Sequence, residues 1–348
     1  MIRFGPAGIP LSCKGRTLKD GIEDVHNLGL TALEAQLVRA HIQERPAEAD
    51  EVGLKPRNLT TDMVIEIVRK KGEKEQVISD LDEPIRKGDR LVTLGSGIAR
   101  SYQELRYLKL MADELDVALS IHTPYYMDLV GDGELSFRSM DAIRWGGLMA
   151  QELGATVVVT HMGLYGGVSP RTALKRITEK ISELAKWYKK QGISVPIGLE
   201  LSGRQEIFGS LQEVLKVCRE VDGVIPVINF AHYHAREGGI LREPKDFHRL
   251  LDSCADFVDR EFYTHFSGVE HEGGNEKRFT SIKKGDLRFE PLAEVLVDRN
   301  EPVTVISGSP LLEHDAMYMK VILERVLAKK VSREAKTPPP KKERAEPR

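Results

Sequence analysis

The chain repeats one pattern along most of its 348 residues: a short β-branched or apolar stretch, a polar loop carrying Gly or Pro, then an amphipathic helical stretch. By that alternation, strands are predicted over 2–6, 32–38, 117–122, 156–161, 197–201, 225–230, 262–266 and 303–307. Eight strands alternating with helices predict a (β/α)8 TIM barrel, which needs about 250 residues and leaves room for insertions. The alternative is a doubly wound open sheet, but no G-x-G-x-x-G follows an early strand. Two helix starts are marked chemically. Ser169-Pro170 supplies an N-cap and a first-turn proline ahead of Ile177, Ile181, Leu184 and Trp187. Ser210, with Glu213 three residues on, forms a capping box ahead of Leu211, Val214, Leu215 and Cys218.

Two stretches depart from this rhythm. The interval between Val38 and Val117 is far longer than one crossover helix requires. Its part from 45 to 96 reads as an insertion after the second strand, with Pro46, Pro56, a helix-like pattern over 62–71 and the run Leu91-Val92-Thr93-Leu94. It precedes a helix predicted over 101–115. On the C-terminal face of a barrel such an excursion shapes access, as a lid or a partner surface. The second departure is 329–348, where eight Lys/Arg stand against three Asp/Glu and Pro338-Pro339-Pro340. That net +5 leaves −7 on the rest of a chain whose total is −2. It reads as a disordered basic tail behind a barrel spanning 1–328. Because the body is mildly acidic, any contact with nucleic acid must come from a local groove or the tail.

No apolar run approaches the ~20 residues of a membrane span, so membrane insertion is not expected. Met1-Ile2-Arg3-Phe4-Gly5 has no secretory architecture, and Cys13, Cys218 and Cys254 are too few and too scattered for a disulfide framework. A cytoplasmic location is the expectation.

In a barrel the C-terminal strand ends converge on one pocket. Those ends carry His122 in Ile121-His122-Thr123-Pro124-Tyr125, His161 in Val159-Thr160-His161-Met162-Gly163, and Glu200 in Gly198-Leu199-Glu200-Leu201. They continue with Asn229 and His232 in Ile228-Asn229-Phe230-Ala231-His232, and His265 in Tyr263-Thr264-His265-Phe266. Imidazoles and a carboxylate gathered at one place make a divalent-metal site, zinc first, with manganese or iron as alternatives. Tyr125 and Tyr165 follow strand ends and are candidates to stack on a sugar or base. Arg39, just past Glu34 and Gln36, and Arg236 are candidates to pair with a phosphate. Gly163-Leu164-Tyr165-Gly166-Gly167 either lets backbone approach a phosphate or serves a loop that needs positive φ. His234, Glu270, His271, Glu272 and Glu313 could supply further ligands.

In order, these motifs resemble the endonuclease IV family of zinc-dependent apurinic/apyrimidinic endonucleases, within the xylose-isomerase-like barrel superfamily. The resemblance covers about 1–40 and 100–325, leaving out the insertion and the tail. His122-Thr123-Pro124-Tyr125-Tyr126-Met127-Asp128-Leu129 is similar to the family's H-x-P-Y-x-x-N-L, and His161-Met162-Gly163 to its H-P-G. Glu200 with Gly203, Gln205 and Gly209 is similar to its E-x-x-x-G-x-G stretch. Asn229-Phe230-Ala231-His232 lies where the family carries D-T-C-H, and His265-Phe266-Ser267 at its H-x-N-D-S.

The resemblance implies a first metal site of His122, His161 and Glu200. Glu200 would bridge to a second site with Asn229 and His265, and His232 would remain from a third. Asn229 replaces an aspartate, Lys277 and Phe279 fall where the family carries D-x-H, and Gly308 falls near its strand-eight glutamate. One or two ions are therefore expected. The activity implied is hydrolysis of DNA at abasic sites, a repair-endonuclease reaction with Glu200, His122 and His161 catalytic. A one-ion sugar isomerase or epimerase acting on a small sugar is the alternative. A non-catalytic binding barrel with a degenerate metal site is a third reading.

Overall fold

In the computed structural model, which describes residues 1–335, the chain opens with β1 (Ile2–Pro6), α1 (Leu18–Asn27) and β2 (Ala32–Gln36). The insertion follows as β3 (His41–Pro46), β4 (Val64–Lys71), β5 (Lys74–Ile78) and β6 (Arg90–Gly95). The alternation then resumes with α2 (Tyr102–Glu114), β7 (Ala118–His122), α3 (Glu134–Leu153), β8 (Val158–Thr160) and α4 (Pro170–Lys190). Next come β9 (Ile197–Glu200), α5 (Leu211–Glu220), β10 (Val224–Asn229), α6 (Phe230–Arg236) and α7 (Pro244–Cys254). Last are β11 (Phe262–Phe266), the hairpin β12 (Gly268–Glu272) and β13 (Asn275–Thr280), α8 (Glu290–Arg299), β14 (Val303–Ser307) and α9 (Glu313–Glu334).

Eight of these strands run parallel in the order β1-β14-β11-β10-β9-β8-β7-β2, and an isolated parallel bridge from Ala7 to Glu34 joins the two ends. This is the (β/α)8 barrel the alternation predicts. A Cβ at Gly5 would sit 1.7 Å from the Ala32 carbonyl oxygen, so only glycine lets β1 approach β2 where the barrel closes. The barrel interior is filled by Ala32, Val157, Val159, Val227, Tyr263 and Ile306. Outside, each helix turns one apolar stripe to the strands. In α4, Ile177, Ile181, Leu184 and Tyr188 are buried at helical spacing. Each such burial contributes about 1.5–3 kcal/mol. Ser169 caps α4 and the Ser210–Glu213 box caps α5.

The insertion spans 41–95 and is a four-stranded antiparallel sheet in the order β3-β6-β4-β5. The helix-like pattern over 62–71 is corrected here: it is strand β4. A β-bulge between Val64 and Glu66 inserts one extra residue. Val64 and Ile67 therefore share one small core with Leu59, Ile85 and Leu91, while Ile65 and Val68 join the main core of the barrel. The i, i+3 spacing that suggests a helix is produced by a bulged strand, and the run of Val and Ile favours that outcome. The insertion is pinned to the barrel by Tyr102 Oη, which donates to the Val64 carbonyl at 3.1 Å, by Arg57 on Glu152 of α3 at 3.0 Å, and by Arg106 of α2, which donates to the Arg57 carbonyl at 3.0 Å.

α9 continues to Glu334, past the boundary at 328 that charge alone suggests, and Lys330 pairs with Asp298 on α8 at 2.8 Å. The remainder of the basic tail, 336–348, lies outside the described residues. Among the described residues no helix is long and apolar enough to cross a membrane.

Candidate metal centre

Parallel strands in register deliver their last residues to one end of the barrel. Gln36 pairs with His122 across β2–β7, and Asn229 with His265 across β10–β11. Glu200, 3% exposed, is the hub. Its Oε2 lies 3.0 Å from His122 Nε2 and 3.3 Å from His161 Nε2. Its Oε1 accepts from Asn229 Nδ2 at 2.8 Å and lies 3.1 Å from His265 Nδ1 and 3.9 Å from His232 Nε2. The six predicted residues His122, His161, Glu200, Asn229, His265 and His232 thus come together around one carboxylate. All are buried.

Three residues that strand-end reading passes over complete the site. Glu34, 1% exposed, receives His265 Nε2 at 2.7 Å, Tyr263 Oη at 2.9 Å and Gln36 Nε2 at 2.8 Å. Tyr263 Oη also meets Ser120 Oγ. Glu276 contacts His232 Nδ1. Glu276 is one position before Lys277, so a carboxylate does face His232. Lys277 itself turns to Glu272, while Phe279 lies against the His232 ring with centroids 5.1 Å apart. Glu34 stands two residues before Gln36 at the end of β2, and Tyr263 two residues before His265 in β11, each on the same strand face as that residue.

The electrostatics are set by two buried carboxylates packed among imidazoles. Burial would raise the Glu200 carboxyl, but the surrounding imidazoles, His161 and His265 foremost, hold it well below the usual range. Burial opposes ionisation of Glu34 as well, and His265 overcomes it. Burial also disfavours a charged His265, yet Glu34 and Glu200 on either side push its pKa up to about 10. His122 is raised against its burial by Glu34 and Glu200. Burial pushes the pKa of His161 down to about 3, against the pull of Glu200.

The donor set fits a divalent ion. His122 Nδ1 bonds the Thr123 carbonyl at 2.7 Å, which leaves Nε2 as the nitrogen facing Glu200. His265 Nδ1 is buried without a hydrogen bond. Nitrogen lone pairs opposed to carboxylate oxygens at about 3 Å need a proton or a metal between them. Ligand atoms of His122, His161 and Glu200, and those of Glu34, His122 and His265, all lie within 4.8 Å of one another.

Other candidates are placed differently. The Tyr125 ring stands edge-on to His161 at 4.9 Å and is half exposed, at the rim of the site. Arg39 is exposed past the end of β2 and makes no bond to the cluster. Arg236 is buried and donates to the carbonyls of Arg204 and Ile207, and the Tyr165 hydroxyl donates to Glu213 at 2.7 Å. Both serve the loop after β9, so neither offers a free group to a ligand. Glu313 accepts from the amides of Leu11 and Ser12 at 2.9 Å. Glu270 and Glu272 make cross-strand ion pairs in the β12–β13 hairpin. His234 and His271 share Asp286, at 3.2 and 3.3 Å. His234 Nδ1 accepts from the Leu241 amide, which commits Nε2 to carry a proton toward Asp286 rather than bind a metal. Gly163, Gly166 and Gly167 all have positive φ, and a Cβ at Gly163 would lie 2.3 Å from the Met127 carbonyl oxygen. Close packing accounts for Gly163, and the left-handed backbone of the loop for Gly166 and Gly167, which have open space around them.

A closed parallel barrel with histidines and buried carboxylates at its C-terminal mouth defines a class of protein by fold and by site. Within it, the chain belongs to the xylose isomerase-like TIM barrel family, whose sequence profile matches residues 86–310. An uncharacterised protein of Methanocaldococcus jannaschii is 27% identical over 209 residues, 59% of this chain and 76% of that one. Among solved structures, endonuclease IV from Thermus thermophilus superposes with a TM-score of 0.61 at 17% identity, covering 92% of this chain and 98% of that one. An L-ribulose 3-epimerase superposes at 0.57 and 12% identity, covering 97% and 100%. Such identities speak for the fold alone.

Proposed function

We propose that the protein is a divalent-metal phosphodiester hydrolase resembling endonuclease IV, with zinc as the first candidate ion and duplex DNA containing abasic sites as the substrate. The observation that carries this reading is the split of Glu200. One oxygen faces His122 and His161, and the other faces His265 and Asn229, as a carboxylate bridging two ions would. When bound, paired ions neutralise a phosphodiester and lower the pKa of water. His122 and His161 would hold one ion with Glu200, and His265 the other. Tyr125, half exposed beside His161, is positioned to stack on a base or sugar at the rim. Three buried free thiols suit a reducing cytoplasm.

A one-ion sugar epimerase is the second reading, and Asn229 favours it. A neutral amide replaces an anionic ligand on the His265 side and weakens the case for a second ion. The test is incubation with a duplex carrying one abasic site, with and without chelator, beside a parallel assay for ketohexose epimerisation. Chelator-sensitive strand cleavage at the lesion is expected. Epimerisation without cleavage would replace the first reading with the second, and inactivity in both assays would leave a binding barrel.

A further inference from the structure

The carboxylate the comparisons and the motifs do not account for is Glu34. It is buried inside the barrel with both oxygens engaged, Oε2 by His265 Nε2 and Tyr263 Oη, and Oε1 by Gln36 Nε2. Its partners His265 and Tyr263 sit on β11, and β1 and β14 separate β11 from β2, so the contact crosses the barrel. A buried carboxylate is costly unless positive charge or several donors meet it. Here the donors are arranged in a line that ends at the candidate metal centre. Because His265 Nε2 is taken by Glu34, His265 Nδ1 is left facing Glu200 Oε1 at 3.1 Å with no hydrogen bond of its own. On that side of the mouth Asn229 is neutral, and β14 ends in Ser307 rather than an acid.

We propose that Glu34 is a positioning residue of the metal centre. It fixes the ring orientation of His265 so that Nδ1 points to the ion, and it supplies the negative charge that positions 229 and 307 do not. Tyr263 and Gln36 in turn hold Glu34. This rests on the metal-centre reading above and is independent of which substrate is used. A carboxylate behind a ligating imidazole makes the ring a stronger donor, and removing one weakens metal affinity about 10- to 100-fold.

The test compares full-length wild type, Glu34→Gln, Tyr263→Phe and Glu200→Gln. Affinity for Zn(II) is measured by competition with a chromophoric chelator, and the ligand field by visible absorption of the Co(II)-loaded protein. Circular dichroism monitors folding. Glu34→Gln, which retains a hydrogen-bonding side chain but not the charge, is expected to weaken binding about 10- to 100-fold and to change the Co(II) spectrum. Tyr263→Phe, which keeps the carboxylate but removes one of its donors, is expected to move both in the same direction by less. Should Glu34→Gln not fold, Tyr263→Phe decides alone. Unchanged affinity and spectrum in the folded variants, with Glu200→Gln still losing the ion, would overturn the role of Glu34. A wild type that binds no ion would instead overturn the metal centre itself, and Glu34's role with it.

Discussion

Asn229 stands where the related motif carries an aspartate, and its amide is put to use: Nδ2 donates to Glu200 Oε1 and Oδ1 accepts from the His232 amide. In the ion-free protein an aspartate there would face Glu200 as a second buried anion. Asn229→Asp should therefore lower ion-free stability by on the order of 2 kcal/mol, the cost of replacing a buried donor by an unpaired charge. With a divalent ion present the same carboxylate becomes a ligand. Binding to the folded state alone adds stability as affinity rises. The separation between ion-loaded and ion-free melting temperatures should be wider in Asn229→Asp than in wild type, read by calorimetry with zinc and with chelator. An equal separation would mean that position 229 does not face an ion. At this scale much of the site is legible, because barrel geometry sends strand ends to one place and His122, His161, Glu200 and His265 are strand-end residues. Glu34, Tyr263 and Glu276 are not legible in the same way. Glu34 meets its partners across the barrel, more than two hundred residues on, and Glu276 reaches His232 from a hairpin; nothing in the local sequence declares either contact.

Among the elements, the barrel strands are read closely because each is a short apolar run buried on both faces. The insertion is read less well. Its strands are half buried, and the bulge in β4 shifts the alternation by one residue, which mimics helical spacing. What holds that sheet's far end together is Asp89, 2% exposed, which accepts from Arg69 Nε at 2.9 Å and Nη2 at 2.8 Å and from the Arg86 amide at 2.8 Å. Burial disfavours its charge, but the bonds from Arg69 more than offset this and hold the carboxyl below its ordinary value. A depressed folded pKa means the contribution is complete above the unfolded value of about 3.9 and is lost as pH falls through the folded one. Asp89→Asn should therefore cost about 1–3 kcal/mol at neutral pH, and less as pH falls below the unfolded value, where the unfolded chain takes up the proton that the folded carboxylate refuses. Denaturant titrations of both proteins at pH 7 and pH 3 measure this. A gap that holds constant or widens in acid would contradict it.

For the whole molecule, the question is whether the inserted sheet is a separate body carried by the barrel. Charge and length alone suggest a detachable excursion, since His41 and Gly95 face each other in register at its base. Packing says otherwise. Met63, Ile65, Val68, Leu81, Val92 and Leu94 of the insertion belong to the same continuous core as the barrel helices. Tyr102, fully buried at the start of α2, places its hydroxyl on the Val64 carbonyl, and Glu152 of α3 binds Arg57 of the insertion at 3.0 Å. The second core of the insertion is only Leu59, Val64, Ile67, Ile85 and Leu91 with two partly buried neighbours. At about 1.5–3 kcal/mol for each such side chain, that cluster cannot offset the backbone entropy of some fifty residues at about 1–2 kcal/mol each. The sheet therefore depends on the barrel for its stability, and the two should unfold as one cooperative unit. Calorimetry of the ion-free protein is expected to give one transition, with calorimetric and van't Hoff enthalpies in agreement. Ile65→Ala, on the shared side of β4, should lower that transition without splitting it. Two transitions, or a loss confined to amide protection within 41–95 while the barrel keeps its midpoint, would show that the sheet folds by itself.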